Sequence, residues 1–236
     1  MFFPSLAEAV AGAPSLRGKI GVGGLLSLVP PLKSRFYSIS SAAEEDGQSI
    51  ELTVSVVPKG LASNYLARRG VGSRVSCFVR DSNFRLPADP LTPIIMVGAG
   101  AGIAPLRGFV RARRMAAERG EALGEAHLFF GCEAPGVDDL YADEMAAAVA
   151  DGVLTKVWTA YNQHPTAEGD RYAQHLLARV PEVVERTLGE GGVVYVCGKE
   201  STLGEGCKEV VEGVLGWDRM QDVLERGEQL VQDVFS

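Results

Sequence analysis

Between Pro93 and Phe109 a short apolar run passes directly into closely spaced glycines and then into a helix-forming stretch. Ile94, Ile95, Met96 and Val97 carry no polar group, so the run predicts a strand covered on both faces. Gly98, Gly100 and Gly102 follow at once, and Ile103 to Glu118 is rich in Ala, Leu, Arg and Met, which predicts a helix. Glycines between a strand end and a helix start let a ligand approach the backbone closely. They also leave the first helical N–H groups free to bind an anion such as a pyrophosphate. The spacing is G-x-G-x-G followed by Ile-Ala-Pro, not the G-x-G-x-x-G of a Rossmann turn. A turn of this kind can also be purely structural, and the rest of the chain decides.

Downstream the pattern repeats. Strands are predicted at Ile94–Val97, Ala126–Cys132, Leu154–Tyr161 and Val193–Cys197, with helices near Ala104–Arg119, Leu140–Ala150 and Tyr172–Leu188 and a fourth after Ser201. In that fourth helix Leu203, Cys207, Val210, Val211 and Val214 form a single apolar face. Alternating β and α units imply a doubly wound parallel sheet with helices on both faces, and ligands sit at the carboxyl ends of its strands. Gly98, Cys132, Tyr161 and Cys197 lie at those ends. Upstream of Pro87–Pro93 the pattern changes. Ile50, Leu52, Val54 and Val56 alternate with Glu51, Thr53 and Ser55, and Arg35–Ser41 and Arg74–Arg80 are two further strand candidates. Three such segments suggest part of an antiparallel sheet or partial β-barrel over residues 1–90, followed by an α/β domain over 91–236.

Composition narrows the function. A length of 236 residues, 46% hydrophobic and 22% charged, suits a soluble globular protein of one large or two small domains. A net charge of −7 argues against a nucleic-acid surface. The four cysteines form no C-x-x-C pair and no metal-like cluster with the three histidines, so a reduced, cytoplasmic setting is expected. No apolar run approaches the roughly 20 residues of a membrane helix. Arg17 and Lys19 before Ile20–Val29 imitate a signal peptide, but Gly21, Gly23 and Gly24 interrupt the run. It reads as a loop or short helix.

Several motifs occur in a telling order. Arg35-Phe-Tyr-Ser-Ile-Ser-Ser41, Gly60-Leu-Ala-Ser63, Phe78-Val-Arg80 and Phe84-Arg-Leu-Pro87 resemble the FAD half of the ferredoxin–NADP reductase superfamily. Gly98–Phe109, Phe130-Gly-Cys132 with Leu140-Tyr141, Tyr172-Ala-Gln-His-Leu-Leu177 and Tyr195-Val-Cys-Gly198 resemble its NADP half. The branch they resemble is the diflavin, or NADPH–haemoprotein, reductases, and the resemblance runs from about Leu28 to Ser236. It implies FAD and NADPH as cofactors and an FMN (flavodoxin-like) domain or a haem protein as electron acceptor.

The same resemblance assigns roles. Arg35 pairs with the FAD pyrophosphate, Tyr37 stacks on the flavin, and Ser38 lies by flavin N5; a guanidinium fork and an aromatic face suit those partners. Thr53 and Ser55 hold flavin and adenine parts, while Gly60, Leu61, Ala62 and Ser63 open a helix toward the pyrophosphate. Gly98, Gly100, Ala101 and Gly102 form the dinucleotide turn, and Cys132, Asn162, Gln163, Tyr172 and Gln174 line the nucleotide. Ser38, Cys197 and Asp233 match the family's hydride-transfer group. A thiol packs beside the ring and a carboxylate offsets positive charge on the nicotinamide. Phe235 stands where the family usually has Trp; it keeps the flavin-covering ring without the indole N–H. The plainer readings make Cys197 a buried small hydrophobe and Asp233 a solvated tail charge.

Departures from the family are equally specific. The family has barrel strands and a helical connecting domain before the Arg-x-Tyr-Ser segment, and an FMN domain before those, which 34 residues cannot hold, so a fragment, a displaced start or a decayed descendant is expected. Asn162-Gln163 replace a usual Ser-Arg, Asp170 replaces a usual Lys, and Arg171 is basic but displaced by one. At about 1.5–3 kcal/mol per charge-assisted bond, losing two such partners weakens NADPH roughly 100-fold or more. NADH then becomes possible, with Asn162 and Asp170 as acceptors for a ribose diol. Ala101, Glu133 and Lys199 replace a usual Thr, Arg and Asp. Arg107, Arg111, Arg113 and Arg114 read as a solvated helix face, or as a dock for an acidic flavodoxin-like partner. Two function classes stay open: an oxidoreductase module moving a hydride from NAD(P)H to FAD, and a non-catalytic nucleotide-binding remnant or fragment of a longer reductase.

Overall fold

Apolar strands flanked by helices pair as their burial demands. In the computed structural model, which describes residues 15, 18–19, 21–28, 31–42 and 49–235, five strands form one all-parallel sheet. They are β1 (Ile94–Ala99), β2 (Ala126–Cys132), β3 (Lys156–Tyr161), β4 (Val193–Lys199) and β5 (Leu230–Phe235), in the order β3-β2-β1-β4-β5. The eight α-helices of the described residues are α1 (Val22–Leu28), α2 (Leu61–Ala67), α3 (Ile103–Glu118), α4 (Ala142–Ala150), α5 (Ala173–Ala178), α6 (Pro181–Gly189), α7 (Glu205–Leu215) and α8 (Trp217–Arg226). The chain falls into two units, residues 1–36 and 37–236. The first contains α1, which bears out a short helix inside the glycine-interrupted run; Ile20 and Val29 lie outside the described residues.

In the second unit the sheet separates two cores, and successive strand residues alternate between them. Ile94, Met96, Leu128, Phe130 and Tyr195 join Leu106, Phe109 and Val110 of α3 and Met145 of α4. Ile95, Val97, Phe129, Val194 and Val196 join Leu177, Val184, Val211, Met220 and Val223 from α5 to α8. Burial on both faces is why β1 reads as an unbroken apolar run. Tyr195 also ties the upstream segment to the sheet. Its hydroxyl donates to the Arg85 carbonyl at 2.7 Å, and its ring lies edge-on to Phe84 and Phe109, 5.3 and 4.9 Å away.

Four expectations need correction. The stretch Tyr172–Leu188 is two helices, because Pro181 starts α6 and pushes Val180 out of helical geometry (φ −129°, ψ 55°). Leu203 belongs to a π-helical turn, Glu200–Gly204, ahead of α7. The strands expected at 35–41, 50–56 and 74–80 form no ladder among the described residues, and the partial barrel is not seen there. Only an antiparallel bridge, Ile39 with Leu52, joins two of them. Alternation specifies a face, but a ladder needs a neighbour that covers it, and Ile50, Leu52 and Val56 are exposed. Finally, the arginines of α3 are not a solvated face. Arg113 is buried and donates to the Val153 and Gly124 carbonyls, while Arg107 and Arg111 pair with Glu51 and Arg114 with Asp151.

Candidate functional site

The strand order reverses between β1 and β4, so the ligand crevice of such a sheet opens at their carboxyl ends. The glycine turn and Cys197 both lie there. Each glycine does something different. Gly100 needs a left-handed backbone (φ +53°), and nothing lies within 4 Å of where a Cβ would stand, so its open side can admit a ligand. Gly102 serves packing instead: a Cβ there would sit 2.0 Å from the Cys197 carbonyl oxygen. Gly98 packs under Leu106, whose Cδ1 would be 2.8 Å from a Cβ. Ala101 is half-buried between them. A 3-10 turn, Gly100–Gly102, leads into the sixteen-residue α3 and its carbonyls take the Ile103 N–H; no side chain caps the start of that turn, so the donors open to an anion lie at its own glycine-rich backbone.

Register assembles the chemistry. Within the parallel ladders, Cys197 faces Asp233 on β5 and Gly98 on β1. Asp233 Oδ2 accepts the Ser38 hydroxyl at 2.5 Å and lies 4.0 Å from Cys197 Sγ. Burial, reinforced by the Asp233 charge, pushes the Cys197 thiol up to about 12, so it is uncharged at neutral pH. Cys132 closes β2, and burial pushes its thiol up to about 12 as well. Phe235, opposite Lys199 at the end of β5, is exposed.

The remaining expected residues divide. Tyr37 is half-buried beside Ser38, and Thr53 Oγ1 shares a 2.7 Å hydrogen bond with the Tyr141 hydroxyl. Ser55 is exposed. Gly60 precedes α2, in which Leu61 is exposed and Ala62 half-buried. Ser63 is buried, its Oγ accepting the Val57 N–H at 3.2 Å. Arg35, in the other unit, is exposed and donates to the Lys33 carbonyl.

At the end of β3, the Asn162 and Gln163 N–H groups bond the Cys132 and Glu133 carbonyls at 2.9 and 3.0 Å. Arg171 Nη1 donates to the Asn162 carbonyl at 3.1 Å. Tyr172 is exposed with its ring edge-on to His175, and Gln174 presents a buried Oε1 without a hydrogen-bond partner. Asp170 does not face a ribose: it is buried and takes Arg179 Nε at 3.1 Å and the Thr166 hydroxyl at 3.2 Å.

Sequence reasoning missed Tyr141 and Arg107 as a pair. The Arg107 guanidinium lies 4.3 Å from the Tyr141 ring centroid, and Tyr141 holds a left-handed conformation (φ 61°) uncommon for a side chain with a Cβ. Among the described residues no helix is long and apolar enough to cross a membrane, and no group of three His, Cys, Asp or Glu could hold a metal.

Comparison with known proteins agrees with this geometry. Residues 96–208 match the oxidoreductase NAD-binding domain. The chain is 41% identical over 192 residues to the bifunctional cytochrome P450/NADPH–P450 reductase 2 of Bacillus subtilis, covering 75% of this chain and 18% of that protein. It is 40% identical over 225 residues to the bifunctional cytochrome P450/NADPH–P450 reductase of Bacillus cereus, covering 84% of this chain and 21% of the relative. To the NADPH–cytochrome P450 reductase of Mus musculus it is 37% identical over 201 residues, 78% of this chain and 29% of the relative. The chain thus spans less than a third of the length of these relatives. The chain is homologous to the C-terminal reductase portion of these NADPH–cytochrome P450 reductases, and its residues 96–208 match the oxidoreductase NAD-binding domain.

Proposed function

We propose that this chain is the hydride-accepting part of an NAD(P)H-dependent flavoprotein reductase, with residues 1–90 in an FAD-binding domain and 91–236 in the NAD(P)-binding domain. It takes a hydride from NADPH or NADH to FAD and passes electrons to an FMN domain or a haem protein, in the cytoplasm. The observation that carries the reading is the meeting of Ser38, Cys197 and Asp233 at the strand-order reversal.

Bound FAD would supply the hydride acceptor and the change from two-electron to one-electron chemistry. The chain's own residues do the rest. Gly100 and the uncapped start of the 3-10 turn ahead of α3 would bind the dinucleotide pyrophosphate, with Gly98, Ala101 and Gly102 shaping the turn. Cys132, Asn162, Gln163, Tyr172 and Gln174 line the adenosine side, where the unpartnered Gln174 Oε1 suits an N–H or O–H donor. Tyr37, Thr53, Ser55 and Gly60–Ser63 would hold FAD, and Phe235 would cover the flavin.

Asp233 keeps a carboxylate beside the nicotinamide, offsetting the positive charge that develops as hydride leaves. Ser38 Oγ donates its proton to Asp233 Oδ2 and so aims the carboxylate. The neutral Cys197 thiol packs against the ring without adding charge. The test is stopped-flow mixing of the FAD-saturated protein with NADPH and with NADH. Loss of oxidised-flavin absorbance in a single fast phase supports the reading; no reduction by either nucleotide sinks it.

A second reading, a nucleotide-binding module without flavin chemistry, is favoured by one observation: residues 49–92 form no ladder and expose Ile50, Leu52, Val56 and Phe78. Equilibrium dialysis separates the two. Nucleotide binding with no measurable FAD binding selects the second.

A further inference from the structure

Two members of the site stand on a rigid sheet, since Cys197 and Asp233 face each other across the β4–β5 ladder. Ser38 does not. It sits on a segment whose only ladder contact among the described residues is the single bridge between Ile39 and Leu52. Something else must keep its hydroxyl 2.5 Å from the Asp233 carboxylate.

The bonds that leave this segment converge on Arg107. The backbone joins Ser40 to Glu51 (Ser40 N to Glu51 O, 2.8 Å), and the Glu51 N–H returns to Ser41 Oγ at 3.1 Å. Arg107 Nη1 then donates to Glu51 Oε2 at 2.5 Å and to the Ser40 carbonyl at 3.3 Å, while its Nε donates to Glu144 of α4 at 2.8 Å. Arg111 adds a second bond to Glu51 Oε2, at 2.8 Å. The Arg107 guanidinium covers the Tyr141 ring, and the Tyr141 hydroxyl closes the loop on Thr53 Oγ1 at 2.7 Å. A planar fork can satisfy two carboxylates and a carbonyl while stacking on an aromatic face; an ammonium cannot.

Two features say that this arrangement is more than surface pairing. The Arg107 side chain is only 12% exposed, so its pairs are poorly screened. Tyr141 keeps a left-handed backbone at the start of α4, strain that persists only where the surroundings hold it in place. Gly108, whose Cβ would lie 3.0 Å from the Ser41 carbonyl oxygen, lets α3 close on the same segment.

We propose that Arg107 and Tyr141 are positioning residues: their clasp on Ser40, Glu51 and Thr53 holds the Ser38 hydroxyl on Asp233 and so keeps Cys197, beside that carboxylate, covered. Neither touches the reacting atoms; both act through Ser38. The proposal rests on the hydride-transfer reading of the site.

The test needs no bound cofactor. Cys197 is buried beside Asp233, Cys207 is buried in the opposite core, and Cys77 is exposed. Thiol alkylation followed by mass spectrometry reads each separately, with Cys77 as the reaction control and Cys207 as the control for global opening. Arg107→Met is expected to raise the Cys197 labelling rate about tenfold, and Tyr141→Phe about threefold, with Cys207 unchanged, as for a local opening. Arg107→Lys keeps the charge without the fork and should fall between Arg107→Met and the parent. With FAD at saturation the hydride-transfer rate should fall in the same order while nucleotide KM holds.

Cys197 labelling at the parent rate in both Arg107→Met and Tyr141→Phe overturns the clasp, as does a rise that Cys207 shares. If labelling follows the expected order in a protein that never reduces flavin, the clasp stands and the reductase reading falls. If Arg107→Met reduces flavin at the parent rate with Cys197 still protected, the clasp falls and the reductase reading stands.

Discussion

Single side chains in this protein are used in ways their chemistry permits but their neighbours decide. Cys197 is a thiol pushed up to about 12 by burial next to Asp233, so at neutral pH it is a neutral, polarizable group rather than a thiolate, as the proposed site requires. Cys197→Ala is therefore expected to slow flavin reduction about 10–100-fold with nucleotide affinity almost unchanged, because the loss falls on the transition state. Asp233→Asn should act similarly, and the double variant should be less than additive since both groups meet one ring. Stopped-flow reduction with FAD at saturation measures all three. The parent rate should show no thiol inflection between about pH 6 and 10. Arg171 offers a second residue-scale test. Its guanidinium lies beside Asn162 at the end of β3, where a 2′-phosphate would approach. Arg171→Ala should weaken NADPH about 3–10-fold and leave NADH unaffected, and in the parent NADH should bind within about 100-fold of NADPH. Calorimetric titration of both nucleotides decides; equal losses for the two would mean that Arg171 does not read the phosphate.

Elements meet more closely at the site than anywhere an ordinary side chain would allow. The turn from β1 to α3 lies against the backbone of β4, and Gly102 makes that contact possible. Gly102→Ala would force its Cβ against the Cys197 carbonyl, and backbone cannot swing aside as a side chain can. It is expected to destabilise the fold by about 3 kcal/mol, the upper part of the usual overpacking range. Gly100→Ala meets no atom and suffers only its left-handed backbone, so about 1 kcal/mol is expected, with the larger effect on nucleotide binding. Urea denaturation of both variants tests the order. A smaller loss for Gly102→Ala would show that α3 shifts freely from the sheet. The division of Tyr172–Leu188 at Pro181 follows from the ordinary rule that a residue before proline leaves the helical region.

Across the sheet the carboxyl ends of the strands carry the proposed site, while the amino end of β2 carries a buried titratable group. His127, near the start of β2, has both ring nitrogens buried without a hydrogen-bond partner. Desolvation lowers its pKa from the ordinary 6.5, against a smaller opposing pull from Glu125, 3.6 Å away. The unfolded chain therefore takes up the proton first as pH falls. Stability is full above about 6.5 and is lost as pH drops through the folded value. His127→Gln should flatten that decline between about pH 6.5 and 5, leaving carboxylate losses at lower pH intact. Thermal melts of parent and variant over that range provide the measurement, and identical pH profiles would remove His127 from the account.

What the sequence determined by itself is whatever depends on neighbours a few positions away. Strand-by-helix alternation, burial of β1 on both faces, the apolar face of α7 and the placement of Gly98, Cys132, Tyr161 and Cys197 at strand ends all follow from local periodicity and turn chemistry. The half-buried edge strand β5 was not legible, because Gln232 and Asp233 interrupt its apolar pattern. Partners far along the chain were decided only by tertiary structure. The β4–β5 register sets Asp233 beside Cys197, and packing of an irregular segment brings Ser38 to the same carboxylate. It also buried Arg113, turned Asp170 onto Arg179 and gathered Arg107, Glu51, Glu144 and Tyr141 into one clasp. An arginine on a helix reads as solvated until something covers it, and what covers it is long-range packing that no local pattern encodes.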